Sequence, residues 1–194
     1  MKSKIALILI VSCFVLFINL NLEKEYLDKI QLISKGSFEN LSVTVLLSGN
    51  NNYENQVMKL LNSIQFVKDY DLTSHKENLI YVTTINIDNL KSYDQYESLK
   101  DLFTRYEGKY YNYVKLSGTY KMEIPNDSYL KIKHSIMQYL KSKSFKVFEF
   151  ENDNMIYINN DWIVPNIENF NIAICKYDSG TYLYIGLPEI MMNY

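Results

Sequence analysis

Apolar and polar positions along this chain alternate in two rhythms. Leu41, Val43, Val45 and Leu47 alternate with Ser42, Thr44 and Ser48, and the run stops at Gly49-Asn50-Asn51-Asn52. A period of two with β-branched residues predicts a strand, and the Gly/Asn cluster a turn. From Tyr53 to Ile64 the rhythm changes. Val57, Leu60, Leu61 and Ile64 fall on one helical face, with Asn52 as N-cap. Phe66 to Leu72 predicts a strand with one wet edge, Thr73 to Asn78 a hairpin loop, and Leu79 to Ile87 a strongly β-forming run. Tyr96, Leu99, Leu102, Phe103 and Tyr106 mark a helix from about Ser92 to Tyr106, ended by Gly108. Ahead of all these, Glu23 to Lys35 carries Leu27, Ile30, Leu32 and Ile33 at helical spacing, and Gly36-Ser37 ends it.

The order then begins again. Tyr110 to Ile124 predicts a strand region interrupted at Gly118. Pro125-Asn126-Asp127 starts a helix that runs, on Leu130, Ile136, Met137 and Leu140, to about Lys143. Phe145 to Phe150 and Met155 to Ile158 are strands around a turn at Glu151 to Asn154. Helix starts lie about 75 residues apart, although the two copies share little identity. Past Trp162 and Pro165, Phe170 to Tyr177 and Thr181 to Gly186 form a hairpin about Asp178-Ser179-Gly180. Strands in local order with helices between them predict an α+β fold, with a largely antiparallel sheet and helices on one face. No strand runs through a Gly-rich turn into a helix, which disfavours a doubly wound nucleotide-binding fold.

The head of the chain has neither rhythm. Lys2 and Lys4 precede an unbroken apolar run from Ile5 to Ile18, and the first acid is Glu23. This is the pattern of an export segment, and it predicts an extracytoplasmic body. Fourteen helical residues span roughly 21 Å, and Asn19 to Leu22 nearly close the gap to a bilayer core of about 30 Å. Ile18-Asn19-Leu20 is a poor cleavage site, so residues 1–22 are read as a retained anchor, with a cleaved signal peptide as the alternative. Ile10-Val11-Ser12-Cys13 also resembles a lipobox, but the apolar residues Phe14 to Phe17 follow it. Residues 23–36 then read as a linker helix between the membrane and a domain over 37–194.

Composition narrows the function. Without Lys2 and Lys4 the body carries 18 bases against 22 acids, a net charge of −4, which argues against nucleic-acid binding. Cys13 and Cys175 are the only cysteines, so no disulfide framework is expected, and His75 and His134 are the only histidines, which leaves no metal spacing. Neither a catalytic constellation nor a cofactor motif is expected. Glu149, Glu151 and Asp153 flank a turn, where solvated acids are common. His134 has no orienting carboxylate in its sequence surroundings, His75 sits in a polar stretch, and Cys175 reads as a buried thiol. Lys131, Lys133, Lys141, Lys143 and Lys146 read as a solvated face. The tyrosines are more informative, with 18 of them in the chain. Most are expected in the core. Tyr110, Tyr113, Tyr120, Tyr182 and Tyr184 are the candidate binding surface for a glycan ring or an envelope protein.

The closing segment adds a resemblance. Asn171-Ile172-Ala173-Ile174, Lys176-Tyr177, the turn at 178–180, Thr181-Tyr182-Leu183-Tyr184-Ile185-Gly186-Leu187-Pro188 and the final Tyr194 resemble the end of the YwmB family. That family consists of exported proteins of Gram-positive, mostly spore-forming bacteria. Lys176 stands where the family pattern has Arg, and Leu187 where it has Thr. The resemblance implies a TATA-box-binding-protein-like fold of two similar lobes, here about 37–108 and 109–194, and it brings no catalytic residues. The function expected from these readings is non-enzymatic binding or scaffolding at the cell envelope, in wall or spore-related processes. An envelope hydrolase or an accessory subunit of one is the alternative.

Overall fold

The computed structural model describes residues 24–126, 129–143, 146–152, 155–161 and 171–187. Residues 24–34 form helix α1. It is followed by β1 (Ser37–Gly49), α2 (Glu54–Asn62), β2 (Tyr70–Glu77), β3 (Ile80–Leu90), α3 (Tyr93–Thr104), β4 (Tyr113–Ile124) and α4 (Tyr129–Ser142). The chain closes with β5 (Lys146–Asn152), β6 (Met155–Asp161), β7 (Asn171–Tyr177) and β8 (Gly180–Leu187). The strands form one sheet in the order β2-β3-β1-β4-β8-β7-β6-β5, antiparallel throughout. The class is the expected α+β.

Strand alternation decides where the core lies. Leu41, Val43, Val45 and Leu47 are buried along β1, and register places them beside Ile85 and Ile87 of β3 and Leu116 and Tyr120 of β4. The same face continues through Leu183 and Ile185 of β8 and Ile172 and Ile174 of β7. All four helices add their apolar stripes to this one core: Leu27 and Ile30, Val57 and Leu61, Tyr96, Leu99 and Phe103, and Ile132, Ile136 and Leu140. Each such aliphatic side chain contributes roughly 1.5–3 kcal/mol on leaving water. α1 is therefore a packed element of the fold and not a spacer. It also meets α4 through Tyr26 and Tyr139, whose ring centroids are 6.1 Å apart.

The other face of the sheet changes character across its width. Around β1 and β3 it is polar, and the Thr44 hydroxyl donates to Asn86 Oδ1 at 2.9 Å. Around β8 and β7 it is aromatic and partly closed, with Tyr184, Ala173 and Cys175 buried together and Tyr182 packed on them.

Several boundaries move. The stretch from Thr73 to Glu77, expected as loop, belongs to β2, and the hairpin turn shrinks to Asn78-Leu79 with Asn78 at φ 56°. Edge position explains the misreading: Asp71, Thr73, His75 and Glu77 all face water, so the strand lacks a full apolar partner set. Phe66 lies outside any strand. Asn52 precedes the N-cap, which is Tyr53, although the Asn52 carboxamide oxygen accepts from the Glu54 N–H at 2.9 Å. The expected end of α1 at Gly36 is also displaced, since Lys35 carries the left-handed conformation at φ 52° and the Gly36 N–H reaches back to the Gln31 carbonyl.

The doubled element order survives as an offset. β1 and β4 start at 37 and 113, α2 and α4 at 54 and 129, β2 and β5 at 70 and 146, and β3 and β6 at 80 and 155. In the sheet the halves are not equivalent. β3 lies beside β1, whereas the β7–β8 hairpin lies between β4 and β6. β1 and β4 pair directly, from Ser37↔Glu123 to Ser48↔Tyr113, so the halves share a single sheet.

Candidate ligand-binding site

Two turns meet at one end of the sheet. The first leaves β1 at Gly49 and delivers the chain to α2. The second, residues 105–112, joins α3 to β4. The Asn112 N–H donates to the Ser48 carbonyl at 2.8 Å, and Asn112 Nδ2 donates to Asn50 Oδ1 at 3.1 Å. The second turn is folded on itself by bonds from the Tyr110 and Tyr111 N–H groups to the Tyr106 carbonyl. Its left-handed residue, at φ 72°, is Gly108, where a side chain would add strain. Glu107 stitches the turn to β4 by accepting from the Val114 N–H at 3.3 Å. Gly49 lets the two turns approach, because a Cβ there would lie 3.2 Å from the Tyr110 carbonyl oxygen.

Between the turns and α2 lies a hollow of about 210 Å³, lined by Tyr53, Tyr106, Tyr110 and Tyr111 with Gln56, Val57 and Leu60. The rings stand at angles to one another. Tyr53 meets Tyr110 at 69° and Tyr111 at 77°, with centroids 5.9 and 5.4 Å apart, and Tyr106 meets Tyr110 at 40° and 5.3 Å. Such edge-to-face packing is the favoured geometry of the aromatic quadrupole. The Tyr53 hydroxyl accepts from Asn51 Nδ2 at 3.0 Å. Lys109 Nζ lies 5.0 Å from the Tyr110 centroid, over its ring. Burial, followed by repulsion from ionised Tyr53 and Tyr106, pushes the Tyr111 hydroxyl up to about 12. The Tyr111 phenol is thus a neutral ring face in ordinary solution.

A second aromatic group lies on the face away from the helices. A bulge in β1 between Phe38 and Asn40 sets two residues against Lys121, and Glu39 Oε2 lies 2.6 Å from Lys121 Nζ. The same ammonium sits 4.1 Å from the Tyr182 centroid. The Tyr177 ring packs on that of Tyr182, with centroids 5.9 Å apart. Burial raises the Cys175 thiol and the Tyr184 hydroxyl above their ordinary values. A raised thiol pKa makes Cys175 a poor nucleophile.

A second hollow, about 310 Å³, opens between α1 and the start of α3, over Phe38, Tyr93 and Tyr120. The Lys24–Asp94 ion pair at 3.2 Å lies in its wall.

The five tyrosines selected from the sequence therefore part company. Tyr110 lines the four-ring hollow and is 38% exposed. Tyr113 is exposed at the start of β4 on the polar face. Tyr120 points the other way, into the helix-covered core beside Phe38 and Tyr93, because it shares parity with Leu116 and Met122. Tyr182 and Tyr184 lie in the Lys121 group. They do not form one surface. Tyr53 and Tyr106 belong to other predicted elements, while Tyr111 shares the predicted strand of Tyr110 without being among the five. The available signal was the density of tyrosine at 106, 110 and 111 opposite the Asn-rich turn.

His75 and His134 are exposed on β2 and α4. Glu149 and Glu151 lie on β5, opposite Ile158 and Ile156, while Asp153, Trp162, Pro165, Cys13 and the whole apolar head lie outside the described residues. Among the described residues no group of three His, Cys, Asp or Glu could hold a metal, and no helix is long and apolar enough to cross a membrane.

No family model matches the chain, and no curated protein matches it. Among solved structures it is similar to a hydrolase from Listeria innocua, at 10% identity over 77% of this chain and 88% of that one, with a TM-score of 0.20. A superposition that loose assigns neither fold nor chemistry.

Proposed function

We propose that this protein is a non-enzymatic binding module of the cell envelope, tethered through residues 1–22, whose ligand contact is the hollow of Tyr53, Tyr106, Tyr110 and Tyr111. The observation that carries the reading is the hollow itself: four ring faces around about 210 Å³ at the junction of two turns. Phenols, one carboxamide and two aliphatic side chains make contact area at low entropic cost. With Tyr111 held neutral this phenol exchanges no proton with a ligand near neutral pH, which favours binding over hydrolysis. The cationic head and apolar run from Ile5 to Ile18 support the address, and the closing segment's likeness to the YwmB family supports the envelope role.

The test uses the full chain in maltoside micelles, with labelled tyrosine rings, titrated with small envelope constituents: wall sugars, amino acids and amine headgroups. Ring signals of the four hollow tyrosines shift while those of Tyr182 and Tyr184 stay fixed. Shifts confined to Tyr182 and Tyr184 move the site to the other face, and shifts at no tyrosine overturn the reading.

A further inference from the structure

We propose that the tyrosine hollow takes the trimethylated ammonium head of a small ligand. This rests on the hollow being the binding site and names the chemistry it accepts. Three observations lead there. First, the rings are inclined to one another by 40° to 77°, so they wall the space from several sides instead of offering one flat platform. A flat platform suits a sugar or a base, whereas a walled hollow suits a round group that meets several ring faces at once. Second, the Tyr110 ring already carries an ammonium, that of Lys109, 5.0 Å from its centroid. Its electron-rich face attracts a cation, and a ligand cation there takes the place of that ammonium. Third, among the described residues the lining holds no charged side chain: its polar side chains are the four phenols and Gln56, and the Tyr53 hydroxyl already accepts a hydrogen bond from Asn51.

That lining separates the candidates. A sugar's several hydroxyls would have to be shared among four phenols and one carboxamide, and each one left unsatisfied costs binding energy. A primary ammonium has three N–H donors, and among the described residues the lining holds no carboxylate to receive them. A trimethylammonium group has no donor at all. Its charge is spread over methyl groups that pack against ring faces, and it gives up water more readily than a primary amine. The size agrees, since about 210 Å³ lies below the range of roughly 300–1,000 Å³ usual for drug-sized ligands. The net charge of −4 on the body after residue 22 favours a cation as well. Because Tyr111 stays protonated to about 12, the attraction comes from the ring quadrupoles and not from a phenolate.

The decisive experiment compares choline with its neutral carbon isostere, in which a tert-butyl group replaces trimethylammonium, and with ethanolamine. Calorimetry and ring NMR are run on the full chain in maltoside micelles, which carry no ammonium. Choline shifts the rings of Tyr53, Tyr106, Tyr110 and Tyr111 and binds at least about tenfold tighter than either comparator, as a cation–π difference of about 1.4 kcal/mol requires. Tyr110→Phe keeps this preference, because the ring face remains, and Tyr110→Ala loses it. The comparison of ligands on the unaltered protein stands even if Tyr110→Ala misfolds. Equal binding of the isostere would overturn the ammonium assignment while leaving the hollow a binding site. Binding of a wall sugar at these rings in place of choline would do the same. A ring set that no ligand perturbs would overturn the underlying reading as well. The source of the headgroup is separated by a last arm, in which the protein is placed in phosphatidylglycerol vesicles with and without phosphatidylcholine. Ring shifts that require the choline lipid mark a membrane headgroup, and shifts produced only by free choline mark a soluble ligand.

Discussion

The Cδ2–Cε2 edge of the Tyr96 ring packs against Gly118. A Cβ at position 118 would come within 2.9 Å of Tyr96 Cε2 and 3.0 Å of Cδ2. Tyr96 is fully buried, and its hydroxyl donates to the Leu187 carbonyl at 3.3 Å. α3 thus crosses β4 at the one residue without a side chain and is tied to the end of β8. The gap in the β4 apolar pattern at Gly118 is the seat of this ring.

Gly118→Ala has no room to relax, because the blocking atoms belong to a buried ring and not to the tip of a flexible chain. The substitution lowers unfolding free energy by about 1–3 kcal/mol, the usual cost of overpacking. Urea denaturation followed by circular dichroism measures it. An unchanged midpoint would mean that Tyr96 does not occupy that seat. Tyr96→Phe keeps the ring and removes the bond to Leu187, at a cost of about 1 kcal/mol.

Lys35 ends α1 in the left-handed region, where a Cβ is strained. Lys35→Gly relieves that strain and raises stability by up to about 1 kcal/mol, net of the greater freedom glycine gives the unfolded chain. A destabilised variant would show that the lysine side chain holds the cap in some other way.

Lys121 is held between the Glu39 carboxylate and the Tyr182 ring, with its side chain 25% exposed. Lys121→Met loses both contacts and costs about 1 kcal/mol, since the pair is only partly screened. The loss shrinks as salt is added. A loss independent of salt would assign the effect to packing of the lysine stem.

Alkaline pH should unfold the protein through its tyrosines. The ordinary tyrosine value is 10, and burial pushes Tyr111 and Tyr139 up to about 12. Folding therefore favours the protonated phenol. The associated stability is complete below pH 10 and is lost as pH climbs towards about 12. Tyr184 shifts in the same direction. Urea midpoints measured across this range fall steadily, and Tyr111→Phe flattens part of the fall. A decline that begins well below pH 10 would trace to another group.

The elements with a full apolar face were legible in the chain. β1 announces itself by Leu41, Val43, Val45 and Leu47, and α3 by Tyr96, Leu99 and Phe103, because each buries one periodic stripe in a common core. β2 was not legible beyond Leu72, since an edge strand with Thr73, His75 and Glu77 towards water looks like a loop. The tyrosine hollow was seen only through Tyr110. Its other walls, Tyr53, Tyr106 and Tyr111, are brought to it by turn hydrogen bonds such as that between Asn112 and Ser48, and those leave no periodic trace. Tyr120 parts from the other four for a simpler reason: strand parity sends it inward, and a tyrosine reads the same from the sequence whichever way it points.

The long ladder between β1 and β4 has a consequence for the order of synthesis. β1 is complete by Gly49, but the strand that covers its second edge begins only at Tyr113. Until then a nascent or truncated chain carries an open apolar-lined border able to zip onto a sister molecule. Chains halted near residue 110 are thus candidates for clumping, and only arrival of the second half removes the hazard.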